Sequence, residues 1–185
     1  VAAAKRKAAT VTAEEDDLQY FLNNLAMTRA GESPVVIDLS TFSATTRETT
    51  LEVNQGISIK FTNGTLNRGT GLAKGEPVIN ISNGSVVEFD ETVTVGVSSG
   101  IDKLGPAVKL GDASLKTAAW IGNTKDAELD YYCCISAYSS SSKLEVLGGT
   151  TDIGGISYNG PEPSVIAGGR LSLIRARPHC ADAVI

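Results

Sequence analysis

The spacing of apolar residues changes once along the chain. Leu18, Phe21, Leu22 and Leu25 recur at intervals of three and four, with Met27 extending the stripe, so one face of a helix is meant to be buried. Thr12 is placed as N-cap, Glu15 completes a capping box with it, and Glu14, Asp16 and Asp17 favour the positive end of the helix dipole. Gly31 and Pro34 stop the element. The pattern therefore predicts a flexible leader over 1–11 and a capping helix within 12–31. After Pro34 the period becomes two, through Val35, Ile37 and Leu39, then Leu51 and Val53, then Ile57, Ile59 and Phe61. Thr, Ser, Val, Ile and Gly dominate from there on. Turn pairs at Asn63-Gly64, Asn83-Gly84, Gly148-Gly149 and Gly168-Gly169 mark tight corners between short strands.

The strand phrases repeat. Ile59-Lys-Phe61-Thr-Asn63-Gly64-Thr65-Leu66 aligns without gaps, twenty residues later, to Ile79-Asn-Ile81-Ser-Asn83-Gly84-Ser85-Val86. Fainter copies follow at Val108–Leu115, Ser140–Leu144 and Ile166–Leu171. Taking Leu66, Val86, Leu115, Leu144 and Leu171 as equivalents gives steps of 20, 29, 29 and 27 residues. Such steps fit a coil with constant corners and variable loops, in which each unit buries its apolar face against its neighbours. A leucine-rich repeat would keep a more regular frame, and a sandwich has no reason to repeat one phrase. The expectation is an all-β parallel β-helix of five to six coils over 32–185, one domain with its N-terminal capping α-helix. The segment 175–185 offers no clear cap, and an uncovered coil end is an edge-strand hazard.

Composition narrows the function classes. At 185 residues and 42% hydrophobic, the chain can bury a continuous core. Its 21 carboxylates against 16 Lys and Arg give a net charge of −5, which argues against nucleic acid or anionic membrane as a general partner. The one basic run, Lys5-Arg6-Lys7, reads as a solvated tail. No apolar run nears the ~20 residues that cross a bilayer, so no membrane insertion is expected. The N-terminus lacks the apolar stretch of a signal peptide; starting with Val, the chain reads as a processed or trimmed precursor, which allows export. Cys133, Cys134 and Cys180 fit neither a zinc site nor a disulfide framework, and buried thiols are the default. A bridge from Cys180 to one of the pair is the alternative.

Together, the phrase Thr10-Val11-Thr12, the helix around 18–25, the strand Val35–Leu39 and the strand-Asn-Gly-strand coils at 57–66 and 77–86 resemble pectate-lyase-like right-handed β-helix proteins. The resemblance covers 10–175 and implies a right-handed coil whose open end is plugged by the initial helix. The style is also similar to secreted and surface β-helix proteins of gut bacteria, which implies a secreted or cell-surface setting. The family's hydrolase chemistry does not carry over, because its clustered Asp residues, Gly-His-Gly and Arg-x-Lys have no counterpart in this sequence. The Asp16-Asp17 pair belongs to the capping turn. His179, the chain's one histidine, sits between Pro178 and Cys180, where an exposed or locally paired ring is the simpler reading. A uronan lyase would need Lys60, Arg68, Lys109 or Lys116 as base, with Asp90, Glu91, Asp112 or Asp126 gathering Ca2+. Outward charges alternate with core residues on any such coil, and nothing in the sequence draws these together.

Other motifs are weaker. The glycine-rich stretches 64–75 and 148–155 lack the P-loop ending and read as corners. Ser139–Ser142 forms no nucleophile elbow. Asn63-Gly-Thr65, Asn80-Ile-Ser82 and Asn83-Gly-Ser85 match the glycosylation acceptor pattern, though the same residues explain the corners. The aromatic residues are more suggestive. Trp120, Tyr131, Tyr132, Tyr138 and Tyr158 fall in successive strand or corner regions, and flat rings along one face are suited to stacking on sugars. The competing reading puts Trp120 and one of Tyr131 and Tyr132 in the core. The expected function is a non-catalytic secreted or cell-surface module for adhesion or glycan binding, with a polysaccharide or surface glycan as partner and no cofactor. A lyase, with Ca2+, and a structural spacer are the alternatives.

Overall fold

The computed structural model describes residues 16–28, 33–96, 105–122, 133–152, 156–160, 165–168 and 170–171. One helix, α1 (Asp17–Thr28), precedes the strands. The first coil holds β1 (Val35–Asp38), a turn of 3-10 helix at Leu39–Thr41, β2 (Thr46–Arg47) and β3 (Leu51–Val53). The second holds β4 (Ser58–Thr62), β5 (Gly64–Arg68) and β6 (Ile79–Ile81), and the third β7 (Val86–Phe89), β8 (Val93–Val95) and β9 (Val108–Leu110). Next come β10 (Ser114–Thr117), β11 (Trp120–Gly122) and β12 (Ile135–Ala137), then β13 (Lys143–Val146), β14 (Thr150–Asp152) and β15 (Ile156–Tyr158). A last pair, β16 (Val165–Ile166) and β17 (Arg170–Leu171), begins another layer.

Every third strand stacks in one sheet. The first face runs β1-β4-β7-β10-β13-β16, the second β2-β5-β8-β11-β14-β17 and the third β3-β6-β9-β12-β15. All described pairings are parallel, as in a right-handed-type β-solenoid. From the first complete triplet to the last the chain advances about four turns, slightly fewer than the five to six coils expected. The 20-residue step between the first two phrases, shorter than one coil, has a physical source. The aligned phrases at 59–66 and 79–86 occupy different corners of the same solenoid, one leading from the first face to the second, the other from the third to the first. Each corner poses the same steric problem, so each draws the same residues.

True equivalents are given by register. On the first face Val35, Ile59, Val87, Leu115 and Leu144 align, spaced 24, 28, 28 and 29 residues. Leu115 and Leu144 are thus correctly paired from sequence, while Leu66 and Leu171 lie on the second face, and Val86 points outward beside the buried Val87. A slip of one residue moves a side chain to the other side of a sheet.

Inward ladders supply the core. Ile59, Phe61, Val87, Phe89 and Leu115 are buried on the first face, with Phe61 and Phe89 stacked at 5.6 Å between ring centres. Leu51, Ile79, Val108, Ile135 and Ile156 form the matching column of the third face. Burying each such side chain contributes about 1.5–3 kcal/mol. The corners depend on backbone that few residues adopt: Asn63 and Asn83 sit at φ of 52° and 53°, in the left-handed region that asparagine tolerates. Gly64 is required for space, since a Cβ there would lie 2.6 Å from the Leu39 Cβ.

α1 begins at Asp17, with Asp16 as its N-cap: the Gln19 amide donates to Asp16 Oδ1 at 3.0 Å. Thr12, Glu14, Glu15 and Gly31 lie outside the described residues, as does the Met27 side chain. Leu18 and Leu22 are fully buried, and Phe21 and Leu25 pack partly against the core. The acidic pair does more than favour the dipole. Asp17 accepts from the amides of Ser43 and Ala44 at 3.0 Å, and Asp16 forms a bidentate pair with Arg47 at 2.7 and 2.5 Å. Gln19 then closes the exposed edge of β3: its Nε2 donates to the Glu52 carbonyl at 3.0 Å, and the Glu52 amide donates to its Oε1 at 2.8 Å. A side-chain amide thus occupies the place of the next rung and covers a pairing edge.

The cysteines depart from the default. Cys133 is disulfide-bonded, Cys134 is a buried thiol, and Cys180 lies outside the described residues.

Candidate functional site

The outward column of the third face is Glu52, Asn80, Lys109, Ser136 and Ser157, aligned rung on rung. Strand alternation puts these side chains outside because their neighbours fill the core. Asn80 Nδ2 donates to Glu52 Oε2 at 2.8 Å. At the corner that follows, Tyr138 is 48% exposed, the most exposed ring of the coil among the described residues. Lys109 Nζ lies 4.9 Å from its ring centre, a cation–π contact that holds one side of the ring. Gly111 makes room for it, since a Cβ there would come within 2.8 Å of the Tyr138 hydroxyl.

The serine run beside this ring is a scaffold. Ser142 is buried, its Oγ 2.6 Å from the Gly111 carbonyl and 3.0 Å from that of Leu110. The Ser139 amide donates to Ser142 Oγ at 3.2 Å, and Ser139 Oγ accepts from the Ser141 amide. Tyr158 braces the same corner. It continues the inward column of Ile81, Leu110 and Ala137, is partly buried against the core, and donates its hydroxyl to the Ser142 carbonyl at 2.9 Å. The Asn159 side chain donates to the Tyr138 carbonyl at 3.3 Å.

The five aromatic residues singled out in the sequence therefore separate. Tyr138 and Tyr158 meet at one corner, one ring outward and one braced against the core. Trp120 stands on the second face, outward and partly buried between Thr94 and Thr150. Tyr131 and Tyr132 lie outside the described residues. The polar column beside Tyr138 was not singled out as a unit. Its signal was present as steps of 28, 29, 27 and 21 residues between 52, 80, 109, 136 and 157, legible once the coil period is known.

The basic residues named for lyase chemistry fall in separate places. Lys60 and Lys116 are outward on the first face, paired with Glu88 at 2.7 Å and Glu145 at 3.6 Å. Hydrogen bonding to Glu88 raises the Lys60 pKa above 10.5, helped by the charges of Asp90 and Glu91. Arg68, expected to project outward, is instead buried beneath the second face, where it donates to the Glu76 carbonyl. Lys109 lies on the third face. The carboxylates are equally local: Asp90 accepts from the amide and hydroxyl of Thr92, and Asp112 from the Asn83 amide at 2.8 Å. Asp126 lies outside the described residues. Each of these described side chains is engaged by its own rung or corner.

No helix among the described residues is long and apolar enough to cross a membrane. Comparisons with protein-family models, with curated proteins and with solved structures find no match to this chain.

Proposed function

We propose that this chain is a non-catalytic surface module whose third face holds an extended glycan, with Tyr138 as the stacking platform and the column Asn80, Lys109, Ser136 and Ser157 as hydrogen-bonding rungs. The observation that carries the reading is the Tyr138 ring, half exposed yet fixed over Gly111 by Lys109 and the Ser139–Ser142 corner. A rigid ring loses little freedom on binding, and its apolar surface suits the flat side of a sugar. Repeated rungs suit a repeating polymer. The disulfide at Cys133 supports an oxidising, extracytoplasmic setting. Kinship with pectate-lyase-like proteins and a bacterial origin belong to this same proposal, supported by the parallel coil and its N-terminal helix.

The test is a polysaccharide panel read on one sample in two ways: retention on immobilised sugar, and absorbance of newly formed unsaturated uronate with Ca2+ added. Tyr138→Ala is expected to weaken retention by about 1–2 kcal/mol, a factor of roughly 5–30, with unchanged folding. New absorbance would establish the lyase and defeat the proposal. Absence of retention across the panel would leave a structural spacer.

A further inference from the structure

The outward column of the first face is Val36, Lys60, Glu88, Lys116, Glu145 and Val165, one residue per rung. Reversed, it reads Val, Glu, Lys, Glu, Lys, Val. Every charge then meets its opposite and each apolar end meets an apolar end. A two-fold axis parallel to the strands, passing between β7 and β10, performs this reversal when one copy is laid face to face on another. Lys60 then opposes Glu145 of the second copy, and Glu88 opposes Lys116, each contact occurring twice, as an isologous interface requires. The neighbouring outward column, Ser58, Val86, Ser114 and Lys143, brings no like charges together under the same operation, since Ser58 meets Lys143 and Val86 meets Ser114.

The geometry points to a second copy of this chain as the partner of the first face, in an antiparallel, charge-registered dimer. The four charged side chains remain between 31% and 47% exposed, so their outward sides are open to such a partner while each also braces a rung within its own chain. The six strands, at ~4.8 Å spacing and with about four residues each, offer roughly 300–400 Å² per copy. That is less than half of the ~800 Å² of a standard interface. The dimer is therefore weak, and since exposed charges dominate it, sensitive to salt. Its register is what the charge order specifies.

Two charge-conserving variants separate contacts within a chain from contacts between chains. Lys116→Glu with Glu145→Lys keeps an opposite-charge pair at both 60/88 and 116/145, but the column becomes Lys, Glu, Glu, Lys, which opposes like to like on reversal. Glu88→Lys with Lys116→Glu breaks both original pairs, yet its Lys, Lys, Glu, Glu order stays complementary to its own reverse. Sedimentation equilibrium at low ionic strength, up to millimolar protein, is expected to show a monomer–dimer equilibrium for the wild type that 1 M salt abolishes. The first variant should be monomeric and the second should dimerise, with circular dichroism confirming that both are folded. A monomeric wild type across this range overturns the inference. So does association unaffected by the first variant, or lost in a folded second variant.

Discussion

Asp16 and Arg47 join the capping helix to the second face, and the two partners are buried unequally: the Arg47 side chain is 1% exposed, the Asp16 side chain 33%. This asymmetry predicts an asymmetric response. Asp16→Asn keeps a good N-cap, because asparagine caps about as well as aspartate, but strips the charge from the partner of a buried guanidinium. Breaking a buried pair by removing one partner costs about 3–5 kcal/mol. Solvent reaches Asp16, so the lower end applies, about 3 kcal/mol. Arg47→Met leaves an aspartate that water can serve and removes a buried Nε that has no hydrogen-bond partner among the described residues, at the loss of one bond to the Ala44 carbonyl. It should cost about 1 kcal/mol, the net worth of that hydrogen bond. The double variant should recover much of the loss seen with Asp16→Asn, because an apolar replacement of a buried pair is often close to neutral. Neighbour-on-neighbour stacking lets one end open without the rest, so the measurement is hydrogen exchange of α1 and β3 amides against those of β10 and β12. A change spread evenly over the coil, an equal cost from the two single variants, or additivity in the double variant would contradict the asymmetry.

Three further outcomes follow from the same structure. Gly149 has φ of 73°, and a Cβ there would lie 2.1 Å from the Ala119 carbonyl oxygen; Gly149→Ala should cost about 1–3 kcal/mol, seen as a lower thermal midpoint. Gln19→Ala should expose the edge of β3 and speed exchange of the Glu52 amide about fivefold or more, from a lost hydrogen bond of ~1 kcal/mol or more, while amides in β12 stay unchanged. Hydrogen bonding from Ser40 holds the Asp38 carboxyl below the usual 3.8. A depressed folded value means that the contribution is present above the unfolded pKa and is lost as pH falls through the folded one. The stability gap between wild type and Asp38→Ala should therefore narrow as urea titrations are carried below pH 3.8; a gap that widens on acidification would contradict it.

Much of the architecture was legible because period and turn chemistry are local. Alternation at Val35, Ile37 and Leu39 and at Ile57, Ile59 and Phe61 foretold strands with one buried side, and the Asn-Gly corners foretold where the coil bends. The helix was visible from Leu18, Leu22 and Leu25, although the cap at its described start is Asp16, chosen because that carboxylate also meets Arg47. The candidate site was only partly legible. Tyr138 and Tyr158 were named together, yet the opposite roles of their rings come from a phase difference that one strand boundary decides. Lys109 appeared as a candidate base, whereas its neighbour in space is an aromatic ring. Arg68 was expected outside, and the stacking of β2 on β5 placed it beneath Arg47.

Sequence alone specifies what depends on neighbours along the chain: the helix stripe, the strand periods, the tight Asn-Gly corners, and hence an all-β stacked coil with a helical cap. The tertiary structure decided what depends on how far the chain travels around each turn. Loops of unequal length set which residues share a rung, so the ladder of Lys60, Glu88, Lys116 and Glu145, with steps of 28, 28 and 29, and the column beside Tyr138, with steps of 28, 29, 27 and 21, exist only once the coils are laid in register. Two of the three corners use one Asn-Gly chemistry, so sequence similarity cannot tell one face from another; hydrogen bonding between rungs can.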